Sequence, residues 1–162
     1  MIRAATVQDA KAIAQIWNPW IRDSIVTFNP VEKSTQDIEH MIETRQASGH
    51  AVLLCCDNQA LQGFVTYSQF RAGSGYSSCM EHTIILARAS HGKGIGRALM
   101  TAIEAHAKTA GAHQMIAGIS AENTAARAFH AKIGYREIAT IPEAGRKFGR
   151  FIDLVLMQKF LT

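Results

Sequence analysis

Apolar and polar residues follow two periods along this chain, and the switches between them mark its elements. Ile2–Ala5 is a short run that reads as a first strand. Thr6-Val7-Gln8-Asp9 fits a capping box, with Thr6 as the cap and Asp9 three residues on. Behind it Ala10, Ile13, Ala14, Ile16, Trp17 and Trp20 or Ile21 recur at helical spacing, and Pro19 is expected to kink or end that helix. Ser34-Thr35-Gln36-Asp37 is a second box, opening a helix through Ile38, Met41 and Ile42 to Gly49. Ala51–Cys56 reads as a buried strand, Asp57-Asn58 as a turn and Leu61–Phe70 as the returning strand of a hairpin. Ala72–Ser78, with Gly73 and Gly75, reads as a loop.

The centre of the chain carries a sharper pattern. Glu81–Leu86 reads as a strand, Arg88–Gly96 as a tight turn, and Ile95–Ala110 as a helix with Ile95, Leu99, Ala102, Ile103 and His106 on one face. Gly111 ends it. His113–Ile119 is another strand. Asn123 is a good N-cap for a helix over Thr124–Ile133, which stops at Gly134. Tyr135–Ile141 and Phe151–Lys159 close the chain as strands. The order β-α-α-β-β-β-α-β-α-β-β predicts an α/β (α+β) fold, a mixed sheet with helices on it.

Length and composition set the class. A chain of 162 residues is expected to form a single domain over 1–162. With 48% apolar and 19% charged residues it is globular rather than disordered. No apolar run approaches the roughly 18 residues of a transmembrane helix. The opening MIRAATVQDA does not read as a signal peptide, so a cytoplasmic protein is expected, with no membrane partner. The net charge of +4 is dispersed, and only two Trp and three Tyr are available for base stacking. Nucleic-acid binding therefore has weak support, whereas a small anionic ligand suits such a balance. Cys55, Cys56 and Cys79 are an odd number without a CxxC spacing, and the seven histidines contain no HExxH. Neither a disulfide framework nor a metal is expected.

One segment points to a ligand. His91-Gly92-Lys93-Gly94-Ile95-Gly96-Arg97 lies between a strand and a helix. Its glycines let the backbone approach a ligand, and the helix start offers free N–H groups and a positive dipole end. Lys93 and Arg97 add charge. A packing role alone explains a bare GxG equally well. A P-loop is excluded because Lys93 is followed by Gly94 rather than Ser or Thr. A Rossmann fingerprint is excluded because the residue three after Gly94 is Arg97.

These residues resemble a family. A strand, then (Q/R)xxGxG, then a helix is the pyrophosphate-binding motif of the GNAT acyl-CoA N-acetyltransferases, with His91 here in place of Gln or Arg. About 30 residues on, Asn123-Thr124-Ala125-Ala126-Arg127-Ala128-Phe129-His130-Ala131-Lys132-Ile133-Gly134-Tyr135 looks like the family's N-x-x-A-x-x-x-[YH]-x-x-x-G-[FY] segment. Thr27-Phe28, Tyr76-x-x-x-x-Glu81-His82-Thr83-Ile84 and Gly145–Asp153 are similar to the phosphinothricin acetyltransferase branch. The resemblance spans essentially the whole chain. It implies the GNAT fold, a mixed sheet of about six to seven strands flanked by about four helices. It also implies acetyl-CoA as co-substrate, a homodimer, and acetylation of the α-amino group of a small amino acid with a phosphinate, sulfone or sulfoximine side chain.

Site roles follow from the same resemblance. Glu81 is placed as the base that takes the amine proton. A backbone N–H among Ile84, Ile85 and Leu86 is placed at the thioester oxygen. His91, Gly92, Lys93, Gly94, Ile95, Gly96 and Arg97 are assigned to the pyrophosphate, and Asn123 to the pantetheine or acetyl region besides capping its helix. His130 stands where a Tyr often protonates the CoA thiolate, and histidine can do the same or hydrogen-bond the sulfur. Phe28, Arg71, Tyr76, Arg146 and Lys147 are candidates for the amino-acid pocket, with Arg150 beside them; Arg suits bidentate contact with oxyanions. His82 falls on the opposite strand face from Glu81 and is left out. Within the same fold, a protein N-terminal or polyamine acetyltransferase is the alternative; outside it, a non-catalytic acyl-CoA-binding module.

Overall fold

Seven strands form one sheet in the order β1-β2-β3-β4-β5-β7-β6: β1 (Ile2–Ala4), β2 (Val52–Asp57), β3 (Ala60–Gln69), β4 (Cys79–Leu86), β5 (Gln114–Ser120), β6 (Arg136–Lys147) and β7 (Arg150–Phe160). The computed structural model describes residues 1–58 and 60–162. Four α-helices accompany the sheet among those residues: α1 (Ala10–Asp23), α2 (Thr35–Ala47), α3 (Ile95–Thr109) and α4 (Thr124–Lys132). This is the mixed sheet with four helices that the sequence implies.

Strand alternation divides the core in two. Val65, Tyr67 and Met80 face one way and pack with Leu99, Met100 and Ile103 of α3. Ala126 and Phe129 of α4 join that side. Phe64 and Ile85 face the other way and pack with Ile13, Trp17 and Ile21 of α1 and Ile38 and Ile42 of α2. The second capping box forms as expected: Asp37 N–H donates to Ser34 Oγ at 3.1 Å, and Ser34 N–H donates to Asp37 Oδ2 at 2.7 Å. In the first, the Asp9 carboxylate accepts from Thr6 N–H at 2.8 Å, but the box opens a 3-10 turn over Val7–Asp9 before α1 begins.

Most boundaries fall within two residues of expectation, and two elements run further. Helix α1 runs through Pro19 to Asp23. A mid-helix proline costs roughly 3 kcal/mol, but Trp17 and Ile21 on either side of it are buried, and each such side chain contributes about 1.5–3 kcal/mol. Ser24 Oγ–H then satisfies the Trp20 carbonyl at 2.6 Å. Strand β6 continues past Ile141 to Lys147, with breaks in register at Glu137/Ala139 and Ile141/Gly145. Pro142 is tolerated there because β6 is an edge strand, where a missing N–H breaks no inner ladder.

The sheet has a seam. All neighbours pair antiparallel except β4 and β5, which run parallel and meet only at Cys79↔Gln114, Met80↔Met115 and Glu81↔Ile116. Beyond Glu81, β4 stays with β3 to Leu86 while β5 stays with β7 to Ser120, so the two diverge and open a wedge.

Candidate active site

The wedge is a cleft of about 380 Å³ that passes between the strands. Glu81–Ile85 line it from β4, Ala117–Ser120 from β5, Asn123, Ala126 and His130 from the start and face of α4, and Trp17 and Val26–Phe28 from the α1 side. The polar backbone edge of β4 is exposed by this divergence. Phe70 N–H donates to Cys79 at 2.9 Å and Ala87 N–H donates to Gln62 at 2.8 Å, which marks the odd-numbered residues of β4 as those bonded to β3. By alternation the main chains of His82, Ile84 and Leu86 face the wedge. The Leu86 carbonyl is taken by Trp20 Nε1–H at 2.9 Å. Ile84 keeps its N–H and C=O toward the open space. Ile85, expected from the sequence to share this role with its two neighbours, instead turns its main chain to Phe64 and buries its side chain.

Glu81 sits at the apex, where pairing stops. A Cβ on Gly118 would lie 2.9 Å from Glu81 Oε1, so the glycine makes room for the carboxylate. Burial pushes the Glu81 carboxyl above its ordinary range, because the charged form loses water without an ion pair in return.

On the α3/α4 side stands a histidine pair. His130 Nδ1 is 2.8 Å from the Ala126 carbonyl, and its Nε2 is 3.2 Å from Nε2 of His82. The two rings stack at 5.1 Å with 10° between their planes, and the Tyr135 ring stands edge-on to both. Burial, reinforced by the other imidazole, brings His82 down to about 3. Burial also lowers His130, opposed by the Ala126 carbonyl and by Glu104. Alternation misses His82 because strand faces cease to separate residues where the sheet is split. Glu81 and His82 point to opposite faces and still line one cleft.

The glycine turn has the shape an anion site needs. Gly92 and Gly94 adopt φ of +77° and +79°, and Gly94 is the residue before α3. A Cβ on Gly94 would meet nothing within 4 Å, so its surroundings are open to a ligand. Lys93 and Arg97 are exposed beside it. Ile95 is half-buried against the α3 core, and Gly96 lets the Phe129 ring approach to 3.3 Å of where its Cβ would be. The His91 ring packs against Trp20 at 5.5 Å. The backbone N–H groups of this turn and of the start of α3 are donors of the kind that could hold an anionic group such as a pyrophosphate. Asn123 Oδ1 accepts from Ala126 N–H at 3.1 Å and also lines the cleft, combining the cap with the site.

The amino-acid side is more dispersed. Phe28 lines the cleft, and its ring lies on Gly145 so closely that a Cβ there would overlap it. Lys147 is 4% exposed and donates to the Thr27 carbonyl at 2.7 Å, so it secures the cleft wall from behind. Arg71 stacks over Tyr76 at 5.4 Å and Arg146 over Phe151 at 5.3 Å. Among the described residues, Arg71, Tyr76 and Arg146 stand outside the cleft lining. Arg150 is held by Glu122 at 2.9 Å. Trp17 and Ser120, which no motif signals, line the cleft with Nε1 and Oγ buried and unpartnered. Replacing Gly145 with Ala should displace Phe28 and cost about 1–3 kcal/mol of stability, as overpacking does. The amine substrate's KM should then rise while that of acetyl-CoA holds, and steady-state kinetics with either substrate varied would separate the two.

Comparison with known proteins agrees with this geometry. Residues 2–156 match the acetyltransferase (GNAT) domain family. The L-methionine sulfoximine/L-methionine sulfone acetyltransferase of Salmonella typhimurium is 32% identical over 157 residues, covering 97% of this chain and 92% of that protein. A ribosomal-protein-alanine N-acetyltransferase from Brucella melitensis superposes with a TM-score of 0.96 at 32% identity, over 99% of both chains. A phosphinothricin acetyltransferase from Sinorhizobium meliloti, solved with acetyl-CoA, gives 0.93 at 25% identity over 99% of this chain and 87% of that one. With its split sheet, its glycine turn and a match over nearly its whole length, the chain belongs to the GNAT acetyltransferase family.

Proposed function

We propose that this protein is an acetyl-CoA-dependent N-acetyltransferase. Its substrate is the α-amino group of a small amino acid such as methionine sulfone, methionine sulfoximine or phosphinothricin, and the amine attacks directly in a ternary complex. The observation that carries this is the wedge between β4 and β5, with a half-buried carboxylate at its apex and unpaired main-chain polar groups along one wall. Bound acetyl-CoA supplies the acetyl group as an activated thioester. Glu81 takes the proton that an incoming ammonium must lose. Ile84 N–H faces the thioester oxygen, and the turn at Gly92–Gly96 with Lys93 and Arg97 holds the pyrophosphate. His130 contacts the sulfur. Asn123 borders the acetyl region, and Phe28 walls the amino-acid pocket.

The whole chain, 1–162, acts as one domain in this reading, in a cytoplasmic homodimer that detoxifies its substrates. No helix among the described residues is long and apolar enough to cross a membrane. The dimer is supported by Ile138, Ile141, Phe148 and Phe151, large apolar side chains left exposed on the β6–β7 hairpin at the sheet edge. Arg71, Tyr76 and Arg146 meet substrate across that contact.

The Brucella neighbour favours a second reading, acetylation of a protein N-terminus. A panel of amines assayed for CoA release separates the two. A donor left unpaired when its acceptor is absent costs about 1–3 kcal/mol, or roughly five- to a hundred-fold in kcat/KM. Methionine sulfone should therefore exceed methionine by that factor, and Arg71→Ala should erode the ratio. Equal rates for methionine and its sulfone, or a peptide that outruns both, would move the protein to the second reading.

A further inference from the structure

Two buried imidazoles in contact must settle which nitrogens carry hydrogen. The Ala126 carbonyl can only accept, so Nδ1 of His130 donates to it across 2.8 Å. An uncharged His130 then has a bare lone pair on Nε2. The atom facing it at 3.2 Å is Nε2 of His82, which must be the N–H. His82 Nδ1 is left as a buried acceptor without a partner. The alternatives that put a proton on His130 Nε2 either set a bare Nδ1 against the Ala126 carbonyl or require a charged ring in a buried site.

We propose that His82 is a positioning residue of the reaction: it donates Nε2–H to His130, fixes the tautomer and ring plane of His130, and keeps that ring an acceptor until substrates arrive. The idea rests on the proposed role of His130 at the sulfur and adds what sets its state before acetyl-CoA binds: with Nδ1 held on Ala126, Nε2 reaches the sulfur only once His82 releases it. The ring planes lie within 10° of each other, as a hydrogen bond made in the ring plane favours, and Tyr135 and Phe129 stand edge-on to His130 to block rotation. The groups that bear on the pair are few. From the α3 side Glu104 accepts from Tyr135 O–H at 3.0 Å and is paired with Lys159 of β7. From β4 itself, Glu81 points to the other face. Burial lowers both imidazoles and so favours the uncharged arrangement.

Long-range ¹H–¹⁵N spectra of the histidine-labelled full chain read the tautomers directly. In the wild-type protein His130 should show a protonated Nδ1 and a bare Nε2, and His82 the reverse. His82→Leu removes the donor. Its His130 should titrate at higher pH than in the wild type, because an unpaired lone pair protonates more readily. Its kcat should fall about tenfold or more, a part of what acid–base groups contribute, with an acid limb shifted upward and the KM for acetyl-CoA kept within about twofold. His82→Gln, whose amide N–H reaches a similar distance, should restore most of kcat and the wild-type limb. A wild-type spectrum with His130 protonated at Nε2 would overturn the proposal without any variant. So would a His82→Leu protein whose His130 titration and kcat match the wild type, or a His82→Gln protein no better than His82→Leu. The reading of His130 is tested separately: if His130→Ala keeps full turnover, the sulfur contact falls, while the spectra still decide whether His82 sets the tautomer.

Discussion

Replacing Glu81 with Gln should lower kcat by about 10²- to 10⁴-fold, the range that a positioned general base supplies. The exchange keeps the size of the side chain and its place beside Gly118, so the fold and the affinity for acetyl-CoA should be nearly unchanged. The pH profile sharpens the test. Burial raises the Glu81 carboxyl, so its basic form is lost as pH falls through a value above that of an ordinary glutamate, about 4.3. Wild-type kcat/KM should therefore drop on the acid side earlier than an exposed carboxylate would dictate, and that limb should be missing in Glu81→Gln. A base nearer neutrality is also better matched to its task, since it holds the proton of an ammonium more firmly once taken. Full turnover of Glu81→Gln near neutral pH would place the base elsewhere.

Gly94→Val should raise the KM for acetyl-CoA by about ten- to a hundred-fold, with kcat less affected. Gly94 sits at φ +79°, a backbone region closed to a β-branched residue without strain. Space around it is open, so the new side chain has room in the free protein. The damage is to the turn's main chain, whose N–H groups would leave their places at the start of α3. Hydrogen bonds to charged groups contribute about 1.5–3 kcal/mol each, and one lost bond spans the fold-change given. Arg97→Ala, which removes one exposed side chain and keeps the backbone cradle, should cost much less. A folded Gly94→Val protein with unchanged KM would remove the turn from the cofactor site.

The fold is legible wherever a local rule acts alone. The 3.6-residue spacing of Leu99, Ile103 and their neighbours, the Ser34 box and the Asn123 cap all describe forces within one element. Sequence reasoning fails where a neighbour decides the outcome. Pro19 is kept in α1 by the burial of Trp17 and Ile21, and Pro142 in β6 by its place at the sheet edge. The site obeys the same division. Asn123 and His130 are motif residues that line the cleft, while the turn at Gly92–Gly96 stands outside its lining with its positive-φ glycines in place. The charge of Lys147 suggests a substrate contact; the amine is instead spent on the Thr27 carbonyl. Period-two alternation sets His82 aside because it assumes an unbroken sheet. Gly118, Trp17 and Ser120 have no signal, since only their neighbours across the wedge give them a purpose.

The three paired positions that join β4 to β5 make this molecule two leaves on a short hinge. One leaf holds β1 to β4 and the other holds β5 to β7, and between Glu81 and Leu86 nothing in the sheet binds them edge to edge. A ligand arm lying in the wedge, as proposed, would take the position of an absent strand. On the proposed mechanism, catalytic readiness and mechanical wholeness then coincide: the loaded protein would be a continuous sheet, and the empty one carries its seam at the proposed site.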